Sequence, residues 1–401
     1  ISRPTSVAAK TALLAVIGLL NSLCSDMVIP ALPSLRDDLQ VNEWQAQQTI
    51  SLFLAACAFM SLWYGALADA WGRRTVTLGA LIVIAVTAIA SVATSQIEQL
   101  WALRTLQGAA SGAGLVISRT VVRDLHMGPT AQRLLSHIMM VQMLSLVATP
   151  VLGGWLAVHW GWRSVFVVLA GIMLALTLAC WRWLPETLPR EQRRPLQLGA
   201  MWHSYRAVMR SGTFVRLSLA HVANWVSMVI YAFSAPAIVM RHLGHGPTEV
   251  YLVYIPITVG LLGGFALLPR LARRWTGGAI LKVAYRILGF SIALNLAVCW
   301  LFPPSLIHTL PLLLFAIGVA LALPILIDWA LTAVQDNAGV GNSCQTFMQL
   351  AVMAVGAGLL APLLWDSMFK LALGTGVITA IGAWCLFRER LFRQTSPCPA
   401  P

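Results

Sequence analysis

Twelve apolar runs, each about 20 residues long, take up most of this chain and leave it few ways to fold. They cover residues 11–33, 46–68, 75–94, 99–120, 134–158, 164–184, 214–240, 249–269, 279–301, 309–332, 342–365 and 370–387. A run of that length crosses the hydrocarbon of a bilayer as an α-helix. No water is present there to satisfy backbone groups, so an open sheet cannot span. The ten-residue alternating segments of a closed β-barrel are not in the sequence. Charged residues make up only 10% of the chain, against about 25% in soluble domains. The fold class is therefore all-α integral membrane, with twelve transmembrane helices. The first run is too long and uninterrupted for a signal peptide, and no small-residue cleavage site follows it. It is expected to stay as a helix.

The net charge of +13 would suit a nucleic-acid partner, but its placement argues otherwise. With the N-terminus inside, the alternating loops sort the 27 Lys and Arg residues unevenly. Twenty-one fall on one side, beginning with Arg3 and Lys10 and ending with Arg388, Arg390 and Arg393. Four fall on the other: Arg36, Arg163, Arg241 and Lys370. The last two, Arg104 and Arg119, lie inside apolar runs. This is the positive-inside asymmetry, and it puts both termini in the cytoplasm. The basic excess then faces anionic inner-leaflet lipid, and no nucleic-acid partner is expected.

The longest polar stretch, LPETLPREQRRPLQLGAMWHSYRAVMRSG, separates six runs from six. It gives an N-terminal bundle over 1–184, a cytoplasmic linker over 185–212, a C-terminal bundle over 213–390 and a disordered tail over 391–401. Leu67-Ala68-Asp69-Ala70-Trp71-Gly72-Arg73-Arg74 lies between runs two and three, and Leu271-Ala272-Arg273-Arg274-Trp275 between runs eight and nine. A basic-aromatic turn at the same point of each half supports two related six-helix bundles.

Several chemistries have no foundation in the sequence. The cysteines (Cys24, Cys57, Cys180, Cys299, Cys344, Cys385 and Cys398) form no CxxC pair and read as small apolar fillers. His242 and His245 lack further ligands for a metal. There is no Walker loop and no catalytic cluster, so neither ATP hydrolysis nor another enzyme activity is expected, and no cofactor.

The residues that stand out are polar groups inside the runs. Asp26 interrupts TALLAVIGLLNSLCSDMVIPALP. A carboxylate at the centre of a membrane helix costs roughly 3 kcal/mol on insertion scales, so it requires a partner, a proton or a function. Arg104 lies in run four. At 100° per residue, Arg104, Gln107, Gly108, Ser111, Leu115, Ser118 and Arg119 fall within about 60° of one direction. Such a polar stripe faces a bundle or cavity rather than lipid. Asp26 and Arg104 each lie about 10 Å below the outer surface at 1.5 Å per residue, a depth that allows them to approach directly or through water. Two readings stay open. A permanently joined pair is structural, whereas a pair whose spacing changes shifts Asp26 between its charged and protonated forms. Asp328 in run ten lies at about the depth of Arg119, which makes Arg119 and Asp328 a candidate inner gate. Asn224, Met228 and Tyr231, at i, i+4 and i+7 in run seven, are candidates for a substrate cavity, with Gln142, Tyr254 and Gln349. Each is equally readable as helix packing. Few fixed charges among these residues suit amphipathic organic compounds.

These segments carry a family resemblance. Gly65-Ala-Leu67-Ala-Asp69-Ala-Trp71-Gly72-Arg73-Arg74 resembles the loop signature of the major facilitator superfamily, with Ala70 where a basic residue is usual. Here Gly65 is expected to permit close helix approach, Asp69 to cap a helix or pair with a cation, and Gly72 to turn the chain. Arg104 with Gln107 and Gly108 is similar to the family's proton-antiporter signature. Thr149-Pro150-Val151-Leu152-Gly153-Gly154 resembles the antiporter element of drug exporters, with Thr149 replacing a Gly. Asp26 followed by Pro30 is similar to the bicyclomycin/chloramphenicol-resistance subfamily of drug:proton antiporters.

The resemblance implies two rocking six-helix bundles and a carrier, driven by the proton gradient, that exports small organic compounds and is expected to be a monomer. Export of an endogenous metabolite such as a siderophore uses the same parts. Sugar–proton symport shares the fold, but the Pro150–Gly154 element favours antiport. A non-transporting receptor or scaffold would have no use for Asp26 and Arg104 together.

Overall fold

A computed structural model of the chain describes residues 7–125, 128–193, 196 and 198–388. The expected tail over 391–401 lies outside these residues, as do the side chains of some helical positions, Arg119 among them. All regular structure among the described residues is helical. Among the described residues, eight helices are long and apolar enough to cross a membrane. A ninth span is a pair bent by 55°, Glu43–Ser61 with Tyr64–Trp71. The architecture is that of twelve spans, and they divide into two compact units, Ile1–Leu198 and Gly199–Pro401. The boundary falls inside the polar linker.

In the first unit, span one is made of α1 (Val7–Gly18), α2 (Leu20–Asp26), a 3-10 turn over Ile29–Ala31 and α3 (Leu32–Leu39). The cause of the second break is in the sequence. Pro30 has no N–H to give the carbonyl four residues back, which is that of Asp26, and its ring crowds that carbonyl. Span two is α4 (Glu43–Ser61) with α5 (Tyr64–Trp71). It opens on a capping box in which Asn42 and Gln45 satisfy each other's backbone N–H. Spans three to six are α6 (Arg73–Val92), α7 (Ile97–Leu125), α8 (Gly128–Trp160) and α9 (Trp162–Trp183). Helix α4 packs along α7, α6 along α9, and α1 along α7 and α8.

The second unit begins with α10 (Leu198–Arg210) and continues into span seven, α11 (Gly212–Phe233). Span seven then breaks at α12 (Ala235–Ala237) and a π-turn over Ile238–His242. Spans eight to ten are α13 (Tyr251–Ala272), α14 (Gly277–Leu301) and α15 (Leu310–Thr332). Span eleven is α16 (Ala338–Val355), a π-turn and α17 (Ala361–Leu364), and span twelve is α18 (Met368–Phe387). Helix α13 packs along α15, and α11 along α15, α16 and α18. The pairing of spans two and four thus returns as that of spans eight and ten.

Small residues let these pairs approach closely. A Cβ built on Gly108 of α7 would stand 2.1 Å from the Phe53 carbonyl of α4. In the second unit the glycine is on the other partner: a Cβ on Gly260 of α13 would stand 2.3 Å from the Leu313 carbonyl of α15. Gly112 and Gly264, one turn further along each helix, continue the two contacts.

Candidate functional site

Arg104 is the largest fully buried side chain of the described residues. Its position on α7 sends it between spans one and two. Nη1 donates to the Cys24 carbonyl at 2.8 Å, Nε to the Thr49 carbonyl at 3.3 Å, and Nη1 also meets Gln107 Oε1. The guanidinium lies 4.4 Å from the Phe53 ring centroid, a distance for cation–π attraction. Cys24 sits in the last turn of α2, where the Val28 N–H turns to the Ser25 carbonyl at 3.2 Å and leaves that of Cys24 without its helical donor. Arg104 therefore acts as a C-cap supplied by another helix, and its charge complements the negative end of α2. Nη2 is buried and has no hydrogen-bond partner.

Asp26 is the final residue of α2, next to that cap. The hydroxyl-bearing Ser22 and Ser25 of the same helix lie beside its carboxyl group. Of the two approaches open to Asp26 and Arg104, the direct one is not made: no ion pair joins them among the described residues. The guanidinium is taken up by two carbonyls and Gln107, while the carboxyl turns to its own helix.

Span five supports span one at both of its breaks. Gln142 Nε2 donates to the Gly18 carbonyl at 2.9 Å, where α1 gives way to α2. Eleven residues on, a Cβ built on Gly153 would stand 2.0 Å from the Met27 carbonyl. Pro150 lies within α8, and Thr149 Oγ1 donates back to the Ser145 carbonyl at 2.6 Å. Gly154 is buried beside Gly153.

The loop signature builds a charge cluster at the arginine-rich end of the first unit. Gly72 has φ of 96°, which favours glycine, and its Cα faces Glu186, whose Oε2 would lie 2.3 Å from a Cβ. Glu186 Oε1 accepts the Arg73 N–H at 2.9 Å, capping α6, and Glu186 pairs with Arg193 at 3.6 Å. Arg73 pairs with Asp69 at 2.6 Å and lies 3.5 Å from Asp124 at the end of α7. Arg74 donates to the Trp181 carbonyl at 2.5 Å. Thr187 completes the cluster on Asp124 at 2.8 Å. Gly65 corrects an expectation. No atom lies within 4 Å of a Cβ built there, so close approach is not what this glycine provides.

The cavity candidates of the second unit have partners within it. Asn224 donates to the Tyr285 hydroxyl at 2.9 Å. The Tyr231 hydroxyl accepts from Asn295 at 2.6 Å and lies 3.3 Å from Thr375 Oγ1. Tyr254 donates to the Ala232 carbonyl at 3.1 Å, and Met228 is buried. Gln349 is half-buried, with Oε1 3.4 Å from His221 Nε2. His221 escaped the sequence reading, although an imidazole inside an apolar run is a signal of the same kind as Asp26. It is buried, and its Nδ1 lacks a partner. Glu186 and Asp124 were also missed; a PET triplet directly after a span was the available sign. Asp328 is exposed near the end of α15, and its carbonyl accepts from Thr332 at 2.8 Å. Since the Arg119 side chain lies outside the described residues, the structure does not address their pairing.

Residues 14–357 match the Major Facilitator Superfamily. The chain is 28% identical over 337 residues to a chloramphenicol resistance protein of Pseudomonas aeruginosa, covering 83% of this chain and 79% of the relative. It is 25% identical over 389 residues to a bicyclomycin resistance protein homolog of Haemophilus influenzae, covering 94% and 95%. It is also 25% identical over 340 residues to the multidrug transporter MdfA of Escherichia coli, covering 83% and 81%. Among solved structures, the xylose transporter XylE from E. coli superposes with a TM-score of 0.71 at 14% identity, covering 96% and 97%. The human organic anion transporter MFSD10 superposes with a TM-score of 0.66 at 19% identity, covering 95% and 98%.

Proposed function

The chain belongs to the Major Facilitator Superfamily, and from that premise we propose that it is a proton-coupled antiporter exporting small amphipathic organic compounds by alternating access. Membership makes it a carrier and not an enzyme. Its fold does not choose the cargo or the direction, because one fold hosts many functions. Three relatives named for chloramphenicol resistance, bicyclomycin resistance and multidrug transport support export of drug-like compounds.

The observation that carries the reading is Asp26 at the end of α2, on a helix broken by Pro30 and held by Arg104 and Gly153. A carboxyl at a hinge of a membrane helix can exchange a proton as the hinge is exposed to one side and then the other. Protonation from outside displaces the substrate, and release of the proton inward allows loading. The proton gradient supplies the energy, with no cofactor. Arg104 tunes the cycle as a positioning residue, since it fixes the carbonyl two residues before Asp26. The substrate cavity draws on Asp26, Gln142, Asn224, Met228, Tyr231, Tyr254 and Gln349, and Arg119 with Asp328 forms an inner gate. The carrier works as a monomer in the bacterial cytoplasmic membrane, with both termini inside.

The test is efflux in everted vesicles against a small panel of antibiotics and organic cations, under an imposed proton gradient. Asp26→Asn is expected to lose at least tenfold in gradient-driven transport while remaining in the membrane at wild-type levels. Wild-type coupling in that variant sinks the assignment. A carrier that moves no panel compound but whose deletion causes a metabolite to accumulate in the cell is an exporter of an endogenous product instead.

A further inference from the structure

Helix α10 ends one residue before span seven begins. Ser211, the residue between, is extended with φ −71° and ψ 103°, so the two helices do not run on as one. Helix α10 is amphipathic, and its apolar face is divided in two. One part holds the helix to its own unit: Val208 is buried, and Tyr205 lies near Cys344 of α16. The other part is open. Trp202 and Met209, seven residues apart and so on one line of the surface, are 71% and 44% exposed. Next to them on the wheel come Arg206 and Arg210, both exposed.

Two features decide what covers this face. The first is charge. No acidic residue occurs between Glu191 and Glu249, so the arginines have no countercharge from their own segment. Like charges four residues apart cost a helix a few tenths of a kcal/mol unless an anion lies between them. The second is position. The helix adjoins the start of a span on the side that the arginine asymmetry makes cytoplasmic, where the leaflet is anionic. An exposed Trp edged by cations fits a helix lying in the interface. Its apolar edge enters the acyl boundary while its cations meet phosphates.

We propose that α10 is a binding site for anionic phospholipid of the inner leaflet. Arg206 and Arg210 take a headgroup phosphate, and Trp202 and Met209 enter the acyl boundary beside it. The site anchors the start of span seven to the membrane surface, and it does not depend on what the carrier transports.

The test places the photo-cross-linker p-benzoylphenylalanine at position 202 of the full chain. A control places it at position 207, where Ala207 is exposed on a different side of α10. Both proteins are reconstituted into bilayers of phosphatidylcholine alone and of phosphatidylcholine with phosphatidylglycerol. Mass spectrometry then identifies the adducts. Position 202 is expected to capture lipid with a preference for phosphatidylglycerol, and position 207 is not. Removing Arg206 or Arg210 as Arg206→Gln or Arg210→Gln should lower the preference about fivefold each, the equivalent of about 1 kcal/mol per basic residue. Equal labelling at 202 and 207, lipid capture indifferent to headgroup, or capture of protein at 202 overturns the proposal. Because the substitutions are on the surface, correct insertion of each variant is checked by its elution as a single folded species.

Discussion

Spans one and seven break in the same manner and secure the break by different means. Pro30 stands four residues after Asp26, and Pro236 four residues after Ala232. Each proline withdraws a donor from the carbonyl four residues back. In span seven the repair is neutral and local to one atom: the Tyr254 hydroxyl donates to the Ala232 carbonyl at 3.1 Å. In span one the support is a buried cation that reaches carbonyls on two helices and stacks on Phe53. The acid is also in span one, while the equivalent position of span seven is Ala232. Around span seven, Tyr231, Asn295 and Thr375 form a network of neutral groups, and Asn224 donates separately to the Tyr285 hydroxyl. The two units thus share a scaffold but differ in chemistry at these breaks, with a buried cation and a carboxyl in span one and uncharged hydrogen bonding in span seven.

The shared scaffold gives the largest expected effects. Gly153→Val and Gly260→Val each push a branched side chain into a backbone carbonyl that cannot move without shifting a helix. Each is expected to cost about 3 kcal/mol or more, read as a fall in the unfolding midpoint of the purified protein. Gly171→Val, at a position with no atom within 4 Å of a built Cβ, should leave that midpoint within about 1 kcal/mol of wild type. Gly108→Val, at the pairing of the first unit that matches that of Gly260, should cost as much as Gly260→Val; if only one of these two is tolerated, the two units are less alike in construction than their helix pairings suggest.

The difference in chemistry comes next. Arg104→Leu leaves the carbonyls of Cys24 and Thr49 without their donor, at about 1–3 kcal/mol each. Tyr254→Phe leaves one carbonyl, so it should cost about 1–2 kcal/mol. Thermal unfolding in one detergent ranks the two. Equal costs would mean that the buried cation does no more for its break than a phenol does, and the contrast between the units would fail at its central point. Tyr231→Phe removes the acceptor of the Asn295 amide and should cost about 1 kcal/mol. Little change in transport would mark this network as structural, whereas a loss of transport out of proportion to stability would place Tyr231 in the cavity.

Which of these features was legible in the sequence follows from how far their causes reach along the chain. Apolar runs are local, and so is the effect of Pro30 on Asp26, four residues away. Those readings needed only chain geometry and the price of a charge in lipid. Glycines were legible as a class but not singly. Gly153 and Gly65 look alike in sequence, and only packing reveals that one abuts the Met27 carbonyl while the other faces open space. Depth matching brought Asp26 and Arg104 to the same level but did not give the rotation of each side chain about its helix. Arg104 was free to choose carbonyls that a hydropathy pattern does not display. Glu186 reaches Arg73 across 113 positions, and His221 reaches Gln349 across 128. Pairings at such separations are products of the folded bundle and leave no periodic trace in the chain.

The smallest expected effect tests whether the contrast extends to the arginine-poor ends of the spans. In the first unit Asp38, in the last turn of α3 and past the end of the first apolar run at residue 33, accepts from Trp162 Nε1 at 3.0 Å and from Arg163 Nη1 at 2.5 Å. The Trp162 hydrogen bond and then the Arg163 guanidinium hold its carboxyl below the usual range. Arg163 is itself fixed, donating to the carbonyls of Val92 at 3.1 Å and Thr94 at 2.9 Å. In the second unit Arg241 and Asp366 stand 3.6 Å apart, and both are exposed. A depressed carboxyl contributes stability above its unfolded pKa of about 3.9, and this is lost as the pH falls through the lower folded value. Asp38 is 46% exposed, so screening should hold that contribution to about 0.5–1 kcal/mol. Asp38→Asn should therefore lower the unfolding midpoint slightly at pH 7 and flatten its decline below pH of about 4. Asp366→Asn, which removes a longer and more exposed pair, should change neither. A steeper acid decline in Asp38→Asn than in wild type, or an effect of Asp366→Asn as large as that of Asp38→Asn, would confine the asymmetry between the units to their membrane interiors.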